Sequence, residues 1–579
     1  MVKQTLQFDF MINETQRKPL LFSQPEELII ANHLKDVANC LEKVEQAVEN
    51  GYYVAGYISY EVAHSFFDIH KKTDNHMPFI WFGVFREPSV QVFDQNGGFS
   101  VESWEIAQSK LEYNETFQHI MDAIMEGKID QINYTVPFRA NFHGDPFTYY
   151  NQLRNAQRAK YCAYLDIGDF QILSASPELF FHVKNGRITA KPMKGTIHRG
   201  KTYEEDIQNK HWLQTSKKNQ QENNLITTLM SDELKRIANE ASIEIVEKYS
   251  VEKYPTVYQM TSTISGDILP EVRFIDLIKA LFPCGSISGV PKRESIQMIT
   301  ELEPVPREVY CGAIGYITPE KEAVFNVPIR TVVIDKQNGI ARYGAGGAIT
   351  KDSNVDEEYD EVLTKTKVLH IKNQPFQLLE TFGLYDGKYV VFSEHISRLE
   401  KSANYFDFHL NLPRIKEKLM QYAHCHKDGA WKVRLLVDEN GQGHTEIFRL
   451  HEIENPKVCL AKKPINKENT FLYHKTTNRS FYKEHMRDDV LDVLLWNEND
   501  EITEFTIGNV VVEIDGERFT PPIECGLLPG TFREKLLSDG TIVERKIKKA
   551  DLHSCTRIWL INSVRKWVEV ELVKQDRSH

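Results

Sequence analysis

VYCGAIGYI (309–317), AVFNVPIRTVVI (323–334) and IARYGAGGAI (340–349) follow one another with only short turns between them. β-Branched and aromatic residues dominate the runs, and Gln337-Asn338-Gly339 stands at a hairpin position before the last. Strand and turn alternate here, and a charged helical pattern follows at 355–371. Moving outward, strand-like runs recur at 79–85, 161–166, 170–174 and 179–183, with a second hairpin signal at Lys184-Asn185-Gly186. Helical spacing of apolar residues marks 34–50, 112–127 and 203–240. The mixture predicts an α+β fold.

The texture changes near 370–376. A lysine-rich helical stretch ends at VLHIKNQ, Pro375 blocks its continuation, and LLETFGLYDGKYVVF opens a new hairpin at Asp386-Gly387. This predicts two domains, 1–372 and 373–579.

Composition is that of an ordinary globular chain: 579 residues, 41% hydrophobic and 26% charged. A net charge of −12 without a basic stripe argues against a nucleic-acid partner, so any anionic substrate must be held by local cations. Eight cysteines with no CxxC pair read as reduced thiols of a cytosolic protein. No run approaches the ~18 apolar residues of a membrane span, and the N-terminus is too polar for a signal peptide. A cytoplasmic location is expected.

In the first part, the segments SASPELFF (174–181), TAKPMKGTIHRG (189–200), LFPCGSISGVPKRESIQMITELE (281–303) and YGAGGAITKDSNVDEEYDEVLTKTK (343–367) carry the chemistry. Lys194, before Gly195-Thr196, stands at a strand-to-turn position where a desolvated amine can become a nucleophile. The glycines at 344, 346 and 347 let backbone N–H groups approach an anion in a turn. Arg330 and Lys292 can hold carboxylates. Glu358 and Glu361, three apart, share a helix face and with Glu222 can bind Mg²⁺ through hard oxygens. Each alone has an ordinary reading as a tight turn, a surface tripeptide or a solvated face; their joint order does not.

That order resembles the chorismate-utilising enzymes, the group of anthranilate, isochorismate and aminodeoxychorismate synthases. The resemblance covers about residues 50–370 and implies an α/β sandwich with large antiparallel sheets. Lysine before Gly-Thr, where anthranilate synthases have alanine, points within the group to amination at C4. It implies that Lys194 adds to C2 of chorismate, that Glu178 is a general acid or base, and that Glu222, Glu358 and Glu361 hold Mg²⁺. Thr196, Lys292, Arg330, Gly344, Ala345 and Gly346 would contact substrate. Two departures stand out: Thr228 and Ser231 within LITTLMSDELKRI (225–237), and Tyr258-Gln259-Met260 where many members carry histidine. With no glutaminase signature visible, the resemblance implies a separate glutamine amidotransferase as ammonia source.

In the second part, HISRLEKSANYF (395–406), HKTTNRSFY (474–482), EITEFTIGNVVVEIDG (501–516) and TPPIECGLLPGTFREKLL (520–537) place an arginine, a lysine, a glutamate and a phosphate-type turn in collinear order. Pyridoxal phosphate needs a Schiff-base lysine, an acid beside the pyridine nitrogen and phosphate donors; a helix opening at Gly530-Thr531 offers an anion site. The order resembles the fold-type IV pyridoxal-phosphate enzymes over about 376–570. The resemblance implies Lys475 as Schiff-base lysine and proton carrier, and Glu504 with Asn509 at the pyridine side. It implies Arg398, Gly530 and Thr531 at the phosphate, and Thr381 and Arg565 toward substrate. Fusion to the first half favours a lyase that expels pyruvate from aminodeoxychorismate and yields p-aminobenzoate for folate. A branched-chain or D-amino-acid aminotransferase is the alternative for this half. Fold-type IV enzymes are usually dimers, so a homodimer through the C-terminal half is expected by analogy.

Overall fold

The strand Ile340–Thr350 runs antiparallel to Gln131–Gly144 over its whole length, from Ile340 opposite Asn141 to Thr350 opposite Gln131. In this computed structural model, which describes residues 4–11, 19–69, 75–89, 97–371 and 375–573, that pair lies near one edge of the first of two large sheets. The order is Gly289–Val290, Gln131–Gly144, Ile340–Thr350, Thr331–Asp335, Phe170–Ser176, Tyr161–Asp166, Thr5–Phe10 and Leu20–Ser23. The second sheet runs from Met193–His198 through Val257–Asp267, Arg187–Lys191, Leu179–Lys184, Ala323–Asn326, Ala313–Ile317, Tyr53–Ile58 and Ile80–Phe85 to Glu27–Ala31. Every pairing in both is antiparallel. Phe82, Phe180, Phe181 and Phe325 of the second sheet share one apolar core with Ile132, Tyr134, Leu173 and Val332 of the first.

The chain forms two compact units. One holds Met1–His198 and Lys210–Asn373, the other Arg199–Asn209 and Gln374–His579. The expected boundary at 372/373 lies outside the described residues. The inclusion of 199–209 in the second unit was not foreseen. Within that unit, a four-stranded sheet (Lys388–Tyr389, Leu378–Tyr385, Ala430–Val437, Gly443–Arg449) packs apolar side chains with the helices Phe392–Phe406 and Leu412–Cys425. A nine-stranded mixed sheet includes Lys457–Leu460, Asp492–Trp496, Ile502–Phe505 and Asn509–Ile514.

Two sequence expectations are corrected. The 203–240 helical pattern is broken into Tyr203–Thr215 and Lys217–Leu234. Ser216 interrupts it: its side chain caps the second helix by accepting from the Asn219 N–H, which local hydroxyl chemistry favours over helix continuation. The glycines at 344–347 form no turn but lie inside the strand Ile340–Thr350, because Gln131–Gly144 pairs with that whole strand. Among the described residues no helix is long and apolar enough to cross a membrane, and all eight cysteines are free.

The loop 285–287 is anchored by a buried cation. Arg307 donates to the carbonyls of Ile287 and Asn133 at 2.8 and 2.7 Å and to Glu303 at 2.6 and 2.8 Å, and its guanidinium lies 4.5 Å from the Tyr60 ring centre. All three guanidinium nitrogens donate in place, whereas a lone Glu303 would be a buried, unpaired charge. Arg307→Met is expected to lower the denaturant midpoint of the first unit, by about 3–5 kcal/mol of stability, read by chemical unfolding.

Candidate active sites

In the first unit, a cavity of about 260 Å³ is lined by Glu178, Lys194, Thr196, Glu222, Arg330, Gly344, Ala345, Gly346, Glu358 and Glu361, among others. Lys194 reaches it through a local irregularity. Met193 stands opposite Thr261 but Thr196 opposite Gln259, so one extra residue is absorbed at Lys194-Gly195, with Gly195 at φ +95°. Such a bulge re-aims the side chain. A Cβ at Gly195 would sit 2.9 Å from Asn219 Oδ1, so both space and backbone demand glycine. Desolvation lowers the Lys194 amine below the ordinary lysine value and Lys365 adds to this, while Glu222, Glu361 and Glu178 oppose it.

Glu178 is buried, and Ser286 Oγ donates to its Oε1 at 2.6 Å. Burial raises its carboxyl to about 7, against the pull of the Ser286 hydrogen bond and the Lys194 charge. A carboxyl so placed can give or take a proton near neutrality. Across the cavity, the helix Val355–Thr366 presents Glu358 and Glu361. Ser353 Oγ donates to Glu358 Oε1 at 2.7 Å, while Glu358 Oε2 is buried without a hydrogen-bond partner among the described residues. Burial and the Glu361 charge raise Glu358 to about 7. Burial pushes Glu361 the same way, but Lys365, 2.5 Å away, outweighs it and holds the carboxyl below the usual value.

Strand Thr331–Asp335 pairs with Ile340–Tyr343 and then ends, so beyond Tyr343 one edge of the long strand has no paired strand among the described residues. Gly346 faces that edge, since its carbonyl accepts from Lys365 Nζ at 2.7 Å. An open strand edge beside Arg330 supplies the N–H donors that the sequence had suggested for a turn. Lys292 is corrected: it does not line the cavity. Its Nζ lies 2.5 Å from Glu233 Oε1 and donates to the carbonyls of Leu281 and Pro283, so its charge is spent neutralising a buried carboxylate and closing its own loop. Sequence reasoning missed Lys365, Ser286, Asn133 and Tyr310, all on the cavity wall, where Gln259 of the departing Tyr258-Gln259-Met260 segment also lies. Lys365 was findable, four residues after Glu361 on the same helix face; Asn133, within a plain strand, had no signal.

In the second unit, a cavity of about 540 Å³ is lined by Thr381, Arg398, Lys475, Glu504, Asn509, Gly530, Thr531 and Arg565, among others. Burial, then Arg398 and Arg479, lower the Lys475 amine to about 7. Glu504 and Asn509 face each other across a hairpin. Tyr482 OH donates to Glu504 Oε1 at 2.5 Å and Asn509 Nδ2 to Oε2 at 3.2 Å, and burial raises the carboxyl to about 7. Gly530 caps the helix Thr531–Ser538, and a Cβ there would sit 1.8 Å from Asn509 Oδ1. Arg398 donates to both oxygens of Glu380, at 2.9 and 2.7 Å, and to the Pro529 carbonyl. Burial would raise Glu380, but Arg398 and His395 bring it down to about 2. Lys432, Arg434 and Arg449 also line this cavity, three cations that sequence reasoning did not name.

Residues 89–370 match the family model described as chorismate binding enzyme, and residues 377–573 match that described as amino-transferase class IV. The chain thus joins a region similar to chorismate binding enzymes to a region similar to class IV amino-transferases. The first is similar to aminodeoxychorismate synthase component 1 of Salmonella typhimurium (35% identity over 269 residues, 46% of this chain and 59% of the relative). It is also similar to the Escherichia coli protein of that name (34% over 276 residues, 48% and 60%). The chain thus spans about 60% of the length of these curated relatives. The fold is that of anthranilate synthase component I from Streptococcus pneumoniae, with TM-score 0.51 and 22% identity over 64% of this chain and 92% of that one.

A class IV region implies pyridoxal phosphate, and the donor set fits it: an amine, a carboxylic acid on the facing hairpin, and a hydroxyl at a helix start that no Cβ at Gly530 obstructs. In the first region, the unpartnered oxygen of Glu358, in a cavity also lined by Glu361 and Glu222, fits a hard cation. Among the described residues, no three His, Cys, Asp or Glu side chains are already drawn together as a metal cage.

Lys475 carries a stability consequence. Its folded value of about 7 lies below its ordinary 10.5, so between these limits the unfolded chain binds more protons and stability rises with pH. Lys475→Met is therefore expected to stabilise cofactor-stripped protein most at pH 7 and below, by about 3–5 kcal/mol. The gain should fade toward pH 10.5, as read by unfolding midpoints across pH.

Proposed function

We propose that the chain converts chorismate to p-aminobenzoate in two steps, one in each region. The observation that carries this reading is the pair of desolvated amines, Lys194 among carboxylates and Lys475 facing Glu504, each in its own cavity.

In the first step, the Lys194 amine forms a bond to C2 of chorismate as the C4 hydroxyl departs as water, with a proton from Glu178. Ammonia then bonds to C4 and expels Lys194, giving 4-amino-4-deoxychorismate. Lys194 must be neutral to attack, and desolvation shifts its amine toward that form. Arg330 and the open edge at Gly344–Gly346 suit the enolpyruvyl carboxylate. Mg²⁺ on Glu222, Glu358 and Glu361 would neutralise the ring carboxylate. Fixed charge placed where negative charge develops is the main source of rate in this scheme. Ammonia comes from a separate glutamine amidotransferase.

In the second step, pyridoxal phosphate supplies an electron sink when bound. Lys475 Nζ holds it and then takes the proton from substrate C4. Glu504 keeps a proton on the pyridine side. Asn509 fixes Glu504 through its amide, and Thr531 with the Thr531–Ser538 helix start suits the phosphate. Lys432, Arg434, Arg449 and Arg565 around the same cavity suit a substrate with two carboxylates. Loss of pyruvate leaves an aromatic ring, which drives the step.

Incubation with chorismate, ammonium, Mg²⁺ and pyridoxal phosphate, read by mass spectrometry, tests this. Wild type should form p-aminobenzoate and pyruvate. Lys475→Ala should accumulate 4-amino-4-deoxychorismate, and Lys194→Ala should form neither product, with a drop of at least about 10³-fold. Ortho-aminobenzoate from wild type, or undiminished p-aminobenzoate from Lys194→Ala, overturns the first step. Amino-group transfer to a keto acid without pyruvate release turns the second into a transaminase.

A further inference from the structure

The class IV unit contains eleven residues encoded upstream, Arg199–Asn209, between the strand that carries Lys194 and the helix that carries Glu222. Inside that unit they form a clasped strap. Arg199 Nε and Nη2 donate to the two carboxylate oxygens of Asp206 at 2.6 and 2.8 Å, and the two side chains are only 6% and 2% exposed. The Gly200 N–H also donates to Asp206, at 3.0 Å. A Cβ at Gly200 would lie 2.1 Å from the Asp206 nitrogen, so the turn closes only with glycine.

The strap bears on the two elements that build the Lys475 site. Arg199 Nη2 donates to the Tyr405 carbonyl at 2.9 Å, and its guanidinium lies 4.4 Å from the Tyr405 ring centre. Tyr405 OH returns a bond to the Gly200 carbonyl at 2.8 Å. Tyr405 belongs to the helix Phe392–Phe406, which also carries His395 and Arg398. The Lys201 carbonyl lies 3.1 Å from Nε2 of His474, the residue before Lys475. A carbonyl only accepts, so Nε2 bears the proton, and Nδ1 is left to accept from Ser402 Oγ at 3.1 Å. Tyr405 covers the imidazole, with ring centres 4.2 Å apart. Burial lowers His474 to about 4, which keeps the ring neutral. On the other side of Lys475, its own carbonyl accepts from the Leu379 N–H at 2.9 Å. The backbone at Lys475 is thus held by the strap through His474 and by the sheet through Leu379.

A buried, fully satisfied ion pair adds little net stability over apolar side chains of like volume, yet it fixes one geometry. We propose that the Arg199–Asp206 strap is a positioning element of the class IV site, setting the backbone at Lys475 through His474, so that a segment of the first sequence half completes the site in the second. This rests on Lys475 being the residue that engages pyridoxal phosphate.

The test uses the full-length protein, pyridoxal phosphate itself as probe, and the variants Arg199→Met, His474→Leu and His474→Gln. One readout is the pH titration of the visible absorbance of bound pyridoxal phosphate. The other is the rate of pyruvate release from 4-amino-4-deoxychorismate, set against the rate of chorismate amination by the same preparation. Arg199→Met and His474→Leu should move the titration midpoint by about half a unit or more and slow pyruvate release about 10–100-fold, with amination far less affected. His474→Gln, which keeps a donor toward the Lys201 carbonyl, should recover most of both. An unmoved titration with pyruvate release near wild type, equal losses in both reactions, or a Gln variant no better than Leu overturns the strap's role. Wild-type protein that takes up no pyridoxal phosphate removes the reading of the site itself, and the strap's role with it. Normal uptake with an unchanged Arg199→Met titration removes the strap alone.

Discussion

Taking an ammonium group out of water costs several kilocalories per mole unless its charge is matched or given up, and both candidate sites are organised around that cost. Lys194 is desolvated among Glu222, Glu361 and Glu178, so charge attraction partly restores what burial removes. Lys475 lies beside Arg398 and Arg479, whose like charge deepens the drop to about 7. The two amines are thus tuned differently. The first is balanced by acids that also suit a metal ion. The second is driven toward neutrality, with Glu504 facing it as an acid of about the same strength. Burial moves the two groups in opposite directions to about one value, which is what proton transfer near neutral pH requires.

The first site depends on where strand pairing stops. Thr331–Asp335 leaves the sheet after its pairing with Tyr343, while Gln131–Gly144 continues to Thr350. Backbone groups beyond that point keep one partner strand and expose the other edge to the cavity. Lys365 ties this edge to the acidic helix by bonding both Gly346 and Glu361. Glycine is needed there for proximity: a Cβ at Gly346 would stand 2.2 Å from the Tyr134 carbonyl, and one at Gly344 would stand 2.7 Å from the Tyr310 ring.

Buried ion pairs recur wherever a loop must be held to one shape. Arg307 with Glu303 holds the loop beneath Ser286, and Lys292 with Glu233 closes the preceding turn. Arg199 with Asp206 closes the strap near His474. In each, carbonyl groups take further donors of the cation, so the pair specifies geometry where an apolar cluster of equal volume would permit several packings.

Much of this was legible in the chain itself. Alternation at 309–349 and the hairpin dipeptides specify antiparallel strands because side chains repeat every second residue. Pro375 marks where a helix cannot continue, and Lys194, Glu178, Lys475 and Glu504 follow from motif order. Neighbour relations between distant segments were not legible. Lys292 reads as a substrate cation until the fold sets Glu233 against it, and Gly344–Gly347 reads as a turn until Gln131–Gly144 pairs with it. Lys432, Arg434 and Arg449 gain meaning only when their strands reach the Lys475 cavity. Local sequence determines backbone preference and the chemistry on offer, both short-range properties. Which charges meet, and which are already spent, is decided by contacts between residues far apart in the chain, and only the tertiary structure brings those together.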